Sequence, residues 1–267
     1  AVVGGFTSFP SDEQIIEAIE KLRSVRNSVV PLIEIFYNDK TSFKRKTNYV
    51  GLCNDDYNYS EGIIRTAYGS CIPEKDFRKH LARVVLPYST ATAFEWESED
   101  FMVGALARIN LNMDNLHKNT LRDAKKFLDI FPNNCVFNNN TAQAIEVLHN
   151  IDASIGILEN LKNNIKSEKP VKVKPRECAG VGVVEAPRGT LYYNLAINSE
   201  GKITFADLCI PTQQNIIHLQ KDLAKYIEFL IKKGKTKKDI SMQAEKLIRA
   251  YDPCMSCATH FLRVNWI

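Results

Sequence analysis

Two cysteines near the end of the chain, Cys254 and Cys257, have the spacing of a metal-binding or redox pair. The two intervening residues let the backbone curl, so that both sulfurs can point to the same side. His260 follows three residues after Cys257 and is a candidate third ligand. These residues favour either thiolate coordination of a metal or dithiol redox chemistry.

The spacing alone leaves three interpretations of this pair open. A thiolate zinc site needs a second pair of ligands, and the remaining cysteines are scattered along the chain: Cys53, Cys71, Cys135, Cys178 and Cys209. The pair could bind a metal that residues elsewhere complete, it could act as a redox dithiol, or both cysteines could be purely structural.

The composition narrows the class of protein. The length of 267 residues allows one large domain or two smaller ones, and 45% hydrophobic with 25% charged residues is ordinary for a soluble globular protein. No apolar run is long enough to span a membrane, and no secretory signal is recognisable. An odd count of seven cysteines without an export signal fits a reducing compartment. We therefore expect a cytoplasmic protein.

The formal net charge of +4 is mild, and much of it comes from one lysine cluster. The cluster consists of Lys232, Lys233, Lys235, Lys237 and Lys238. No aromatic residues alternate with these lysines, so they predict a solvated turn between helices and no nucleic-acid site. Docking of an acidic partner is the other interpretation.

Hydrophobic periodicity predicts the elements that must position these residues. Ser11 and Gln14 form a capping-box pattern before a helix, and Pro31 in the apolar stretch 29–37 predicts a kink or a restart. Further helices are predicted at 73–85, 121–131, 141–163, 215–233 and 238–251, and strands at 49–53, 181–184, 190–197 and 202–210. His149 lies beside the apolar face of its helix and is expected to be partly exposed.

Two turns next to predicted strands could also carry chemistry. Pro187, Arg188 and Gly189 form a rigid corner that could project one guanidinium toward an anion or a polarised ligand, although these residues alone favour a plain surface turn with an exposed arginine. Thr212 lies where a strand passes into a helix. A helix N-terminus can bind an anion, but an ordinary helix cap explains the same residues.

Three motifs in this order and at these distances resemble the C-terminal half of the large subunit of nickel-iron hydrogenases. They are Glu185-Ala-Pro-Arg-Gly-Thr-Leu-Tyr192, Pro211-Thr-Gln-Gln-Asn215 and Arg249-Ala-Tyr-Asp-Pro-Cys-Met-Ser-Cys-Ala-Thr-His260. Segments 104–110 and 3–5 extend the resemblance over nearly the whole chain. The motif sequences most resemble those of the soluble cytoplasmic branch, which includes the coenzyme F420-reducing and F420-nonreducing enzymes of archaea.

The resemblance implies a fold class and a cofactor. The fold would be α+β and mainly α, a long-helix bundle with small antiparallel sheets, with residues 1–267 forming the C-terminal part of a large-subunit domain. Segment 29–37 and the last two helices would supply much of the core. The family cofactor is a nickel-iron centre whose iron carries carbon monoxide and cyanide, held by four cysteine thiolates.

The resemblance also implies a role for each candidate residue. Cys254 would be a terminal nickel ligand, and Cys257 would bridge nickel and iron. Arg188 would lie over the metals as an electrostatic partner or base, oriented by Asp252. Pro187 and Thr212 would line the pocket for the diatomic ligands. His260 would bind a magnesium or iron ion, together with the carbonyl of Leu208.

The sequence departs from the family pattern at two places. The family draws its other two thiolates from an Arg-x-Cys-Gly-x-Cys motif, which the 267 residues do not contain. We therefore expect either a C-terminal piece, which the start at Ala1 also allows, or a split subunit whose first cysteine pair lies on a separate chain. Residues 261–267 follow His260, where a maturation protease cuts in the family, so the chain resembles an unprocessed precursor.

Three hypotheses for function follow. The chain could be a hydrogenase component that passes electrons to an iron-sulfur small subunit. It could instead be a non-catalytic relative like the complex I subunits, or an unrelated α+β protein with one zinc or redox pair. The first hypothesis predicts that Cys254 and Cys257 lie within metal-sharing distance of each other and near Arg188.

Overall fold

The structure, a computed structural model, describes residues 8–89, 91–164, 171–258 and 265–266. The α-helices are α1 (Asp12–Tyr37), α2 (Ala105–Asn112), α3 (Lys118–Asp123), α4 (Lys125–Leu128), α5 (Asn139–Asn164), α6 (Pro211–Lys232), α7 (Lys237–Ala250) and α8 (Met255–Ala258). The strands are β1 (Asn48–Cys53), β2 (Ile63–Thr66), β3 (Cys71–Ile72), β4 (Leu81–Val84), β5 (Ala93–Trp96), β6 (Phe101–Met102), β7 (Cys178–Ala186), β8 (Gly189–Ile197) and β9 (Ile203–Cys209). Within these ranges, no helix has both the length and the apolar character that crossing a bilayer requires.

Helix α1 begins with the predicted capping box. The Ser11 hydroxyl accepts from the Gln14 amide at 3.2 Å, and the Gln14 side chain accepts from the Ser11 amide at 2.9 Å. The predicted restart at Pro31 is wrong, because α1 continues through this residue. Buried residues on both sides of the proline, Val29 and Ile33, belong to the main core, and this packing offsets the lost helical hydrogen bond.

The strands form three small sheets. One has the order β3-β2-β1-β6, with β1 and β6 parallel, the second pairs β4 with β5, and the third is the antiparallel sheet β7-β8-β9. Ala186 pairs with Gly189 in the third sheet, so the turn between β7 and β8 consists of Pro187 and Arg188. The turn sequence Asn198-Ser-Glu-Gly201 between two predicted strands indicates a hairpin, and β8 and β9 form it with antiparallel pairing.

The predicted helix at 73–85 is wrong in its second half. Residues Glu74–Lys79 form a 3-10 helix, and the chain then enters β4, whose backbone pairs with β5 from Leu81 opposite Trp96 to Val84 opposite Ala93. The predicted helix at 121–131 is divided into α3 and α4 at Ala124. The alternating Lys, Pro and Val residues at 166–175 predict an extended connector, which lies partly outside the described residues; 171–176 have no regular secondary structure.

His149 is buried at 3% exposure, so its predicted partial exposure is wrong. The Tyr57 ring packs on it with a centroid distance of 4.9 Å, and His149 Nδ1 accepts from the His117 amide at 2.9 Å. Both partners are distant in sequence. The periodicity of α5 alone therefore gave no indication of what covers this residue.

The main core lies among the long helices, as predicted. Ile33 of α1, Leu148 of α5, Leu230 of α6 and Leu247 of α7 belong to one buried cluster. A second cluster lies among the small sheets and includes Phe94 and Tyr192. The lysines between α6 and α7 are exposed, which confirms the predicted solvated turn. The α+β fold with a helical bundle and small sheets is confirmed.

A buried polar network ties α6 to the end of α7. His218 Nδ1 lies 2.5 Å from the Tyr251 hydroxyl, and His218 Nε2 lies 3.0 Å from the Thr47 hydroxyl. Tyr251 also donates to Asp222 at 2.6 Å, and Arg45 pairs with the same carboxylate. Burial lowers the pKa of His218 to about 4. The residue next to Tyr251 in the chain is Asp252, so this network fixes the approach to the cysteine pair.

His218 makes the stability of the fold dependent on pH. Its pKa falls from about 6.5 to about 4 on folding, so the unfolded chain takes up the proton first as the pH decreases. This contribution, on the order of 3 kcal/mol, is fully present above pH 6.5 and is lost as the pH falls toward 4. Urea unfolding across this range should show a smaller loss for His218→Gln than for the wild type. Equal losses in the two proteins would contradict the assignment to His218.

Candidate metal centre

The cysteine pair lies just beyond the end of α7. Cys254 precedes α8, Cys257 lies within it, and the Cys257 amide donates to the Cys254 carbonyl at 3.1 Å. This turn places the two sulfur atoms 2.6 Å apart. Thiolate-metal bonds are about 2.3 Å long. The two sulfurs therefore lie within the distance at which they could share one metal ion, and binding of a metal by the pair stays a prediction.

The surroundings of the pair favour one thiolate at neutral pH. Hydrogen bonds from Cys257 and from Ser256, whose hydroxyl lies 3.3 Å away, lower the pKa of Cys254 to about 7. The same bond raises the pKa of Cys257, while the charge of Arg188 opposes that rise. Near neutral pH, Cys254 is therefore partly in the thiolate form, which is the form that binds metals.

Arg188 reaches the cysteine segment through Asp252. Its Nε donates to the Asp252 carbonyl at 2.8 Å, and its Nη2 donates to Asp252 Oδ1 at 3.4 Å. Asp252 has a φ of 49°, in the left-handed region that Asp tolerates better than most residues. Asp252 Oδ2 accepts from Gln143 of α5 at 3.1 Å. The β7–β8 turn and the end of α7 therefore meet at this carboxylate.

The turn that carries Arg188 is held by a buried arginine. Arg108 of α2 is 3% exposed and donates to the carbonyl of Ala186 at 3.0 Å and to that of Pro187 at 3.2 Å. Its guanidinium also forms a bidentate pair with Glu146 at 2.6 and 2.7 Å and bonds Glu185 at 2.6 Å. Arg108 thus connects α2, α5 and the turn in one network.

Glu185 completes that network inside the protein. It accepts from the Leu52 amide at 2.8 Å and from the Thr190 hydroxyl at 2.7 Å. Burial raises the pKa of Glu185, while Arg108 and these donors oppose the rise by stabilising the carboxylate. The end of β7, next to the β7–β8 turn, is therefore attached to both α2 and β1.

Two glycines allow the turn to approach α2 closely. Gly189 has a φ of 134°, and a Cβ there would collide with the Val103 side chain. Gly104 has a φ of 118°, and a Cβ on it would lie 3.1 Å from the Arg188 carbonyl oxygen. Larger residues would push Arg188 away from the cysteine segment.

The first turn of α6 reaches the cysteines from another side. Thr212 is buried, and its Oγ1 accepts from the Cys254 amide at 3.4 Å. Asn215, in the same motif, accepts from the Val103 amide at 2.9 Å and so supports the residues before Gly104. Thr212 therefore contacts the cysteine segment directly, whereas Asn215 stabilises the neighbouring backbone at Val103.

Leu208 and His260 are less well placed by the structure. Leu208 lies in β9 opposite Tyr193 and is 40% exposed. His260 lies outside the described residues. The ion that these two residues were expected to share stays a prediction.

Sequence reasoning missed the residues that hold the Arg188 turn and the end of α7 in place. Arg108 belongs to a motif segment, but its partners Glu146 and Glu185 come from distant elements. Asn139, whose Nδ2 donates to the Ala250 carbonyl at 2.9 Å, holds the end of α7 and was also missed. Gln143 and Glu146 lie three residues apart on α5, a spacing that could have indicated one shared face.

The donor atoms suit a soft metal but form only part of a site. Two adjacent thiolates are ligands that nickel and low-spin iron accept readily. Across the ranges that the structure describes, no three Cys, His, Asp or Glu side chains are grouped to hold a metal ion. The residues therefore fit one half of a four-thiolate centre.

The low pKa of Cys254 predicts alkylation at neutral pH. In a variant whose exposed cysteines Cys71 and Cys178 are replaced by Ser, iodoacetamide should modify Cys254 with a midpoint near pH 7. Cys257→Ala removes the principal hydrogen bond, so the midpoint should rise toward the ordinary thiol value of about 8.5. Mass spectrometry of peptides identifies the modified site. An unchanged midpoint would show that Cys257 does not stabilise the thiolate.

Removal of Arg108 should destabilise the chain strongly. Arg108→Met leaves Glu146 and Glu185 buried without their cation, which costs about 3–5 kcal/mol. Arg122→Ala is the matched control, because Arg122 pairs with Asp123 at the surface, where an ion pair open to water stabilises little. Urea unfolding measures both values. A loss no larger than that of the control would contradict the role of Arg108.

Comparison with known proteins places these features in a family. The family described as Nickel-dependent hydrogenase matches residues 34–260. The chain is 28% identical to the alpha chain of sulfhydrogenase 1 of Pyrococcus furiosus over 276 residues, which cover 99% of this chain and 62% of that protein. It is 39% identical to an F420-non-reducing hydrogenase chain of Methanothermobacter marburgensis over 121 residues, covering 45% of this chain and 25% of that protein.

The fold is similar to that of a solved NAD+-reducing NiFe-hydrogenase in the H2-reduced state. The TM-score is 0.77 at 23% identity, and the match covers 96% of this chain and 62% of that one. The chain therefore spans about 62% of the length of both this hydrogenase and the sulfhydrogenase relative. Since the family match extends over most of the sequence, the chain belongs to the nickel-dependent hydrogenase family.

Proposed function

We propose that this chain is a component of a nickel-iron hydrogenase, an oxidoreductase that cleaves H2 reversibly and heterolytically. The observation that carries the proposal is the meeting of Cys254, Cys257, Thr212, Arg188 and Asp252, which come from three separate segments. Family membership supports it. Residues 1–267 would form the C-terminal part of a large-subunit domain, and activity would belong to a larger assembly.

In this proposal, Cys254 and Cys257 supply two of the four thiolates, the first as terminal nickel ligand and the second as bridge to iron. The bound Ni-Fe(CO)(CN)2 group would supply the redox-active metals at which H2 is split. A segment with the Arg-x-Cys-Gly-x-Cys sequence, absent from these 267 residues, would bring the other two thiolates. Soft thiolates 2.6 Å apart support this assignment.

Arg188 is proposed to act as the electrostatic partner of the centre. A guanidinium stays protonated at any physiological pH, which favours this role over that of a base. Asp252 binds it through both its carbonyl and its carboxylate, so the positive charge is kept beside the cysteines. Arg188 can then orient and stabilise negative charge beside the cysteines.

Pro187 and Thr212 are proposed to line the pocket for the diatomic ligands. The Thr212 oxygen accepts from the Cys254 amide, so its hydroxyl proton is available for an anion such as cyanide. Pro187 precedes Arg188 in the turn, and its carbonyl is occupied by Arg108. His260 and the Leu208 carbonyl keep their proposed role at a magnesium or iron ion.

Electrons would pass to an iron-sulfur small subunit. The relatives are named as subunits of sulfhydrogenase and F420-non-reducing hydrogenase, which supports assembly with other chains. The latter name points away from coenzyme F420 reduction, so we assign no role to that coenzyme. A maturation protease acting after His260 and a cytoplasmic location stay predictions.

One observation favours a second candidate, a non-catalytic subunit like those of complex I. The described residues provide two thiolates and no further grouped ligands. A split or unprocessed large subunit that is inactive alone has the same appearance. The retained cysteine pair argues for a metal-binding role, because a purely structural relative has no need of two adjacent thiols.

Infrared spectroscopy separates these candidates. The chain is produced with its neighbouring subunits and maturation proteins, and we expect carbon monoxide and cyanide stretching bands together with hydrogen uptake. Cys254→Ser should abolish both signals, whereas Cys178→Ser, at an exposed cysteine in β7, should leave both unchanged. Absence of the bands from every wild-type preparation would favour the non-catalytic subunit.

A further inference from the structure

Gln143 contacts the carboxylate that holds Arg188. Its Nε2 donates to Asp252 Oδ2 at 3.1 Å, while Asp252 Oδ1 and the Asp252 carbonyl accept from Arg188. Arg188 Nε also lies 3.3 Å from Asp252 Oδ2, so the guanidinium faces both carboxylate oxygens and Gln143 contacts one of them. The Gln143 amide therefore adds a contact from α5 that restrains the Asp252 side chain.

The pair between Arg188 and Asp252 needs such support. Their side chains are 40% and 35% exposed, and an ion pair this open to water stabilises little and keeps rotational freedom. Gln143 is carried by α5 between Ala142 and Ala144, which are both buried. It therefore connects the carboxylate to a rigid helix.

The same helix also holds the backbone of the Arg188 turn. Glu146, three residues after Gln143, accepts hydrogen bonds from Arg108. Arg108 in turn donates to the carbonyls of Ala186 and Pro187. Residues three apart lie on one face of a helix. Both reach one cavity of about 450 Å3 that Pro187 also lines. Helix α5 thus positions the turn through Glu146 and the guanidinium through Gln143.

We propose that Gln143 is a positioning residue of the metal centre, which acts through Asp252 to fix the direction in which Arg188 presents its guanidinium to the cysteine pair. Its catalytic consequence rests on the proposed hydrogenase function. The contact itself belongs to the chain and can be tested without metal.

The first test observes Arg188 directly in the purified chain. Nitrogen-15 NMR detects arginine Nε–Hε groups, and Arg188→Lys identifies the signal of Arg188. In Gln143→Leu, which keeps similar volume but loses the amide, exchange of the Arg188 Hε with water should be about tenfold faster. Val147→Ala is the matched control, because Val147 lies one turn further along α5 and lines the same cavity.

Gln143→Glu provides a second variant that keeps the length of the side chain. It places a carboxylate against Asp252, so it should also release Arg188. Unchanged exchange in both Gln143 variants would overturn the proposal. Equal acceleration in Val147→Ala would overturn it too, because general packing would then explain the effect.

The second test uses the assembled hydrogenase. Gln143→Leu should lower kcat about tenfold with little change in KM for H2. A misdirected guanidinium reduces the stabilisation of the transition state more than it reduces the binding of H2. The infrared bands should keep their intensity, since the thiolates are unaffected. An unchanged kcat would overturn the catalytic consequence. A wild-type assembly without hydrogen uptake would contradict the proposed function, and the exchange measurement would still decide the role of Gln143.

Discussion

The burial of Arg108 is the constraint on which the candidate centre depends. A guanidinium removed from water needs opposite charge and acceptors for its N–H groups, and here two carboxylates and two backbone carbonyls provide them. These acceptors come from α5 and from the end of β7. Satisfying one buried cation therefore fixes three distant segments relative to each other, and the Arg188 turn has one position as a result.

The cysteine pair depends on a different set of contacts. Tyr251 is anchored to His218 and Asp222, and Asn139 binds the last carbonyl of α7. The chain therefore leaves α7 in a fixed direction before it reaches Asp252. The candidate metal ligands lie in a short segment beyond a well-anchored helix end, and buried polar groups outside that segment set its direction.

The sequence predicts well those features that local physics decides. The Ser11 cap, the β8–β9 hairpin and the last two helices follow from neighbouring residues, and the motifs identify the cysteines, Arg188 and Thr212. The restart at Pro31 and the exposure of His149 were wrong because distant packing decides both. Gln143 and Glu146 were missed for the same reason, since their partners lie 109 and 38 residues away. Thus local patterns give the candidate ligands, but tertiary contacts select the residues that support them.

The bond between Asn139 and the Ala250 carbonyl has a consequence for the order of assembly. Because the end of α7 is already immobilised, the cysteine segment loses little conformational entropy when a metal arrives. Under the proposed function, the described part of the chain would fold first, and the remaining thiolates would then close on a template that is already in place. Cofactor loading would be a docking step between two folded surfaces instead of a folding step.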